Sequence, residues 1–142
     1  MESLSVADGL SQGFITSIIQ DSQGFIWMGT FDGLNRYDGY SVRHFKPKPF
    51  DSLSIQSSYI TALFEDPQHY IWVGTAEGLY LFNPQKEHFY RLCTPAFALP
   101  AQHIAAVTGD KDGNILVQFS IEKNRGGDIF QLNLPPDFLR QA

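Results

Sequence analysis

The chain repeats itself, and this limits what it can fold into more than any other property. Ile15-Thr-Ser-Ile-Ile-Gln-Asp-Ser-Gln-Gly-Phe-Ile-Trp-Met-Gly-Thr-Phe-Asp-Gly-Leu-Asn-Arg-Tyr-Asp returns 45 residues later as Ile60-Thr-Ala-Leu-Phe-Glu-Asp-Pro-Gln-His-Tyr-Ile-Trp-Val-Gly-Thr-Ala-Glu-Gly-Leu-Tyr-Leu-Phe-Asn. The two stretches align without a gap and are identical at 10 of 24 positions. Most of the other differences are conservative, such as Met28 for Val73 and Tyr37 for Phe82. A looser third copy starts at Ile104 and resumes at Ile129 after an insertion. Self-similarity at this period marks a repeat architecture, in which each unit buries its faces only against its neighbours.

Within one unit the punctuation is that of short strands. Ile15–Gln20 ends at Asp21-Ser22-Gln23-Gly24, where aspartate can bond the backbone ahead and glycine tolerates positive φ. Residues 25–30 alternate, with both faces largely apolar, so this strand is expected to be covered on both sides. Asp32-Gly33 and Asp38-Gly39 are hairpin signals, which place further strands at 34–37 and 40–45. The second unit repeats the pattern at 60–65, 70–75, 79–82 and about 88–92, and the stretches 46–58, with two prolines and four serines, and 94–102, with two prolines, read as crossings between units. Turns every five to eight residues leave no room for helices.

The predicted fold is therefore all-β: a β-propeller segment of about three four-stranded antiparallel blades, at about 12–46, 58–93 and 103–142. Ser3–Val6 reads as a strand of a preceding or closing blade, and Phe138–Gln141 as the last strand of the third. Closed propellers have four to eight blades, so three imply part of a larger ring. Trp27 and Trp72 are expected to pack between blades, Trp27 the more loosely if the first blade lacks an outer neighbour. The third copy has Leu116 in place of the tryptophan and Gln118 in place of Gly29 and Gly74.

Composition narrows the function classes. The chain of 142 residues is 43% hydrophobic and 18% charged, so it is globular, and its net charge of −5 argues against a nucleic-acid groove. Cys93 is alone, which rules out an intramolecular disulfide and leaves the compartment open. No apolar run reaches the ~18 residues of a membrane span, so no direct membrane insertion is expected. The N-terminus has no signal-peptide pattern, which means either a cytoplasmic chain or one whose targeting segment has been removed.

Sites for chemistry are sparse. Asp110-Lys-Asp-Gly-Asn114 has the flavour of a calcium loop, but Ile115 and Ile121 stand where an EF-hand needs glycine and glutamate, so it reads as a turn. Gly126-Gly-Asp-Ile-Phe130 departs from the cyclase signature it approaches and reads as hairpin. His44, His69, His88 and His103 lack zinc spacing and read as surface residues, His69 in a turn. The innermost strands offer hydroxyls and methyls with no base. No catalytic, cofactor-binding or metal residue is predicted, and no cofactor. Thr16, Ser17, Thr61 and the crossings 46–58 and 94–102 are the candidate lining for a ligand at the channel end.

The motif turn-Gly-aromatic-Ile-Trp-x-Gly-Thr-x-x-Gly-Leu, then an aromatic and Asp or Asn, resembles the two-component regulator propeller repeat. It stands at Gly24–Leu34 with Tyr37-Asp38, and again at Tyr70–Leu79 with Phe82-Asn83. The resemblance covers 8–92 well and 104–133 loosely. It implies a sensor propeller outside the cytoplasm, as in hybrid histidine kinases and related regulators, with a periplasmic location and a small-molecule or glycan ligand. Further blades of a parent chain, or a second copy in a homodimer, are the expected partners. Two alternatives stand beside it: an oligomeric interaction scaffold, and a propeller enzyme resembling the streptogramin lyases.

Overall fold

A computed structural model describes Leu10 and residues 14–92, 102–120 and 129–132. Eleven strands are present among them: β1 (Ile15–Gln20), β2 (Ile26–Thr30), β3 (Gly33–Tyr37), β4 (Val42–Phe45), β5 (Ile60–Glu65), β6 (Ile71–Thr75), β7 (Gly78–Asn83), β8 (His88–Arg91), β9 (Ile104–Gly109), β10 (Ile115–Phe119) and β11 (Ile129–Leu132). They form three antiparallel meanders, ordered β1-β2-β3-β4, β5-β6-β7-β8 and β9-β10-β11. Strands begin and end within a residue or two of the expected positions, because tight turns leave little slack. The sheets stack as consecutive blades of a β-propeller. The segments expected to be strands at 3–6 and 138–141, the insertion with Gly126-Gly127, and Cys93 lie outside the described residues.

Each blade is held shut by the same device at its first turn. Asp21 Oδ1 accepts from the backbone N–H of Gln23 and Phe25, and Oδ2 accepts from Trp27 Nε1 at 2.9 Å. Asp66 does the same with Gln68, Tyr70 and Trp72. The Asp110–Asn114 stretch is the corresponding turn of the third blade, with Asp110 Oδ1 accepting from Asp112 and Asn114 N–H. At the other end, the threonine of Gly-Thr-x-x-Gly closes the β2–β3 and β6–β7 turns. Thr30 Oγ1 donates to Gly33 O and accepts from Asp32 N–H, and Thr75 repeats this with Gly78 and Glu77. Gly33 and Gly78 sit at φ +108° and +124°, which a side chain would strain.

The seams between blades explain Gly29 and Gly74. A Cβ on Gly29 would lie 2.5 Å from Ile60 Cγ2, and one on Gly74 2.7 Å from Ile104 Cγ2. The first residue of each inner strand thus fills the hollow of the preceding blade's glycine. Beside it, Trp27 packs with Phe82, Leu63 and Ile60, and Trp72 with Ile104, Val107 and Val117; both indoles are fully buried. Trp27 faces the second blade, not the outer side, so the expectation that it would be the looser of the two is corrected. The second seam also trades volume: Phe64 stands where the first blade has Ile19, and Gly109 where the second has Glu65, with a Cβ on Gly109 only 2.8 Å from Phe64 Cζ.

Candidate functional site

The inner strands carry a bulge at one place in every blade. Pairing of β1 with β2 skips Thr16, that of β5 with β6 skips Thr61, and that of β9 with β10 skips Ala105. A bulge re-aims the extra side chain and sharpens strand twist. Thr16 Oγ1 consequently reaches across the seam and donates to Ile60 O at 2.6 Å. Thr61 Oγ1, in the same place one blade on, is buried without a hydrogen-bond partner among the described residues. Ser17 is half-buried and pairs with Gly29. Of these three residues only Thr16 bonds across the seam, and none of them lines a cavity found among the described residues.

The crossing 46–58 is also more than a surface strand. Ser54, Ile55 and Ser57 are buried, and Ile55 joins the core around Trp27. Ser58 O accepts from Gly33 N–H at 2.6 Å and Leu53 O from Phe89 N–H at 2.8 Å, so the crossing stitches the first blade to the second. Of the crossing 94–102, only Gln102 is described; it is exposed.

What the residue pattern did not single out is an aromatic column at the end of the blades where the inner strands begin. Phe14 stacks on Phe31 at 4.8 Å and Phe31 on Tyr59 at 4.4 Å, with the planes 20° and 26° apart. His103 meets Tyr59 edge-on at 5.9 Å. Offset stacking at these distances is favourable in itself. The column nevertheless stays wet: Phe14 is 61% and Tyr59 38% exposed. Phe14, Tyr59 and His103 each directly precede an inner strand, so the three matching positions were the available signal. Beside Phe31, Lys46 Nζ lies 2.9 Å from Asp32 Oδ2. Ring faces and edges next to an ion pair and a phenol suit a ligand with a flat apolar ring and hydroxyls at its rim.

The opposite end holds a polar cluster. Glu65 accepts from Ser22 N–H and from Ser22 Oγ, and His69 Nδ1 lies 2.9 Å from Ser22 Oγ and 3.4 Å from Glu65 Oε2. A serine, a histidine and a glutamate together invite a catalytic reading. A relay, however, needs the acid on one ring nitrogen and the hydroxyl on the other. Here both approach Nδ1, so the arrangement is a tether between the first turns of two blades. His69 itself sits at φ +72°, where the other blades have Gly24 and Gly113. A cavity of about 140 Å³ lies beside the tether, lined in part by Gln23, Gln68, His69 and Gln85. Among the described residues no three His, Cys, Asp or Glu side chains gather as metal ligands, and no helix is long and apolar enough to cross a membrane.

Comparison with known proteins agrees with this architecture. The two-component regulator propeller family matches at residues 9–32 and 54–77, one match per full repeat. The histidine kinase P4 of Formosa agariphila is 44% identical over 54 residues, which is 38% of this chain and 4% of that protein. Among solved structures, the extracellular domain assigned to a hybrid two-component system of B. thetaiotaomicron superposes with a TM-score of 0.77 at 25% identity, over 96% of this chain and 20% of that one. A second B. thetaiotaomicron extracellular domain, assigned to a one-component system, gives 0.66 at 17% identity, over 89% and 18%. Virginiamycin B lyase from Staphylococcus aureus gives 0.58 at 14% identity, over 89% and 43%, a likeness of fold. The chain spans less than half the length of each of these relatives.

Proposed function

This chain belongs to the two-component regulator propeller repeat family, and from that premise we propose that it is a ligand-sensing propeller segment of a bacterial receptor of the hybrid histidine kinase type. It acts on the periplasmic side of the membrane and has no catalytic activity of its own. Two findings support the setting: the relatives by structure are extracellular domains of signalling systems, and the relative by sequence is a histidine kinase. The single observation that carries ligand binding is the Phe14–Phe31–Tyr59 column with its two outer rings exposed. Folding has no use for the ring surface that Phe14 and Tyr59 leave in water, whereas a pyranose ring or another small molecule with an apolar face would gain by covering it. Among the described residues, the one arrangement with the parts of a hydrolase, Ser22 with His69 and Glu65, lacks relay geometry, and the likeness to a lyase is one of fold.

The test is calorimetric titration of the chain against a panel of glycan fragments, repeated with Phe31→Ala and Tyr59→Ala. Binding by the natural chain and a loss of tenfold or more in either variant is the expected result. Silence across a broad panel, or binding indifferent to both substitutions, would overturn the placement of the site.

A further inference from the structure

The tether between the first two blades is not something the repeat requires. At the matching places in the second seam, Pro67 stands for Ser22, Gly109 for Glu65 and Gly113 for His69, and that seam closes without them. His69 also holds φ +72° in a turn where the other two blades use Gly24 at +91° and Gly113 at +85°. A side chain is disfavoured in that conformation, and Gly113 shows that the fold accepts glycine. An imidazole kept against local backbone preference, at the edge of a cavity, points to a use for the ring.

The hydrogen bonds fix what that ring presents. The Ser22 hydroxyl has a single hydrogen, and Glu65 Oε2, a carboxylate oxygen that can only accept, takes it at 2.9 Å. His69 Nδ1, 2.9 Å from the same hydroxyl, is therefore the donor to Ser22 Oγ. In the neutral ring Nε2 is left as an acceptor, and it has no partner among the described residues. Gln23, Gln68 and Gln85 border the same cavity. Their backbone N–H groups are engaged by Asp21, Asp66 and Asn83, whereas their side-chain amides bond to nothing among the described residues. The two carboxylates of the wall are committed: Asp21 to two backbone N–H groups and the Trp27 indole, Glu65 to Ser22. The open groups are thus uncharged: three amides, each able to donate and accept, and one imidazole acceptor. Tyr70 and Pro84 give the wall its apolar part. At about 140 Å³ the cavity is close to the ~150 Å³ that encloses one benzene-sized ring.

We propose that this hollow is a second binding site, at the end of the blades away from the aromatic column, and that it takes a cyclic polyol of one six-membered ring. A ligand hydroxyl donates to His69 Nε2, and the glutamine amides serve the other hydroxyls, since each amide both donates and accepts. An ionic ligand would find no uncommitted countercharge in the wall, and an apolar ring would strip water from the amides without replacing its hydrogen bonds. The ligand would join Gln23 of the first blade to Gln68 and Gln85 of the second, adding to the bond between Ser22 and Glu65. The site stands on its own groups and does not depend on the aromatic column.

Titration of the chain with myo-inositol and, separately, with methyl β-D-glucopyranoside, followed by the glutamine side-chain signals in proton–nitrogen correlation spectra, decides this. The Gln23, Gln68 and Gln85 amides should shift together and saturably with at least one probe, and the probe that binds tells a cyclitol from a sugar. His69→Gly installs the residue the other blades carry, so it should fold and yet bind about tenfold more weakly, roughly one lost hydrogen bond. Gln85→Ala, at an exposed turn position, gives a second reading, and its affinity should fall too. Glutamine signals that stay still with both probes would overturn the proposal, as would unchanged affinity in both folded variants. Shifts confined to Phe14, Phe31 and Tyr59 would put the probe on the column, which sinks this site and leaves the column's role standing.

Discussion

The second and third blades place an aspartate at the same turn and treat it in opposite ways. Asp66 lies beneath Trp72, and burial pushes its carboxyl above the ordinary value against the pull of the indole and backbone N–H groups. Asp110 accepts from Asn114 Nδ2 at 3.0 Å as well as from backbone N–H, and these bonds, the side-chain one first, hold its carboxyl below the ordinary value. Asparagine has taken over the indole's role as donor. What it cannot take over is the indole's area. The third blade therefore keeps the turn and loses the platform on which a next blade would sit. The comparison separates two functions that one tryptophan performs in the regular repeats: locking a hairpin, and building a seam.

The sharpest way to break this comparison is to remove the platform. Trp72→Ala should cost about 3–5 kcal/mol in urea unfolding, as for other buried large aromatics, and Trp27→Ala should fall in the same range because it is equally buried against the second blade. Leu116→Ala, half-buried on an outer face, should cost less than about 2 kcal/mol. A Trp27 variant losing only ~0.5 kcal/mol, the surface range, would contradict the seam.

A smaller effect separates the two bulge threonines. Thr16→Val gives up the bond to Ile60 O and should lose about 1 kcal/mol. Thr61→Val removes a buried hydroxyl that has no partner, so it should be neutral or stabilising. Equal losses at both positions would mean that Thr61 makes a bond not accounted for by the seam.

The smallest effect is in pH dependence. Since Asp66 titrates higher in the folded chain, the cost of burying its charge is present at neutral pH and is relieved as pH falls through its raised value towards 3.8. Asp110 has the opposite sign: its contribution is present above 3.8 and is lost as pH falls through its depressed value. Carboxyl-carbon NMR titration should place the two inflections on opposite sides of 3.8. Coincident inflections would remove the distinction between the blades.

Much of this molecule was determined by its sequence alone. Period, turn residues and the alternation in residues 25–30 and 70–75 specify strands, their order and the need for neighbours on both faces, because these depend on local backbone preference and on the two-residue period of side chains. The tryptophans were legible as seam residues for the same reason. Only the tertiary structure decided which way each blade faces. It turned Trp27 inward, gave the glycines their role under Ile60 and Ile104, and spent Thr16 on a cross-seam bond. It also brought Phe14, Phe31 and Tyr59 into one column from positions 17 and 28 residues apart in the chain. Such facts depend on the register between sheets and on a bulge that re-aims one side chain, and neither leaves a mark in any single repeat.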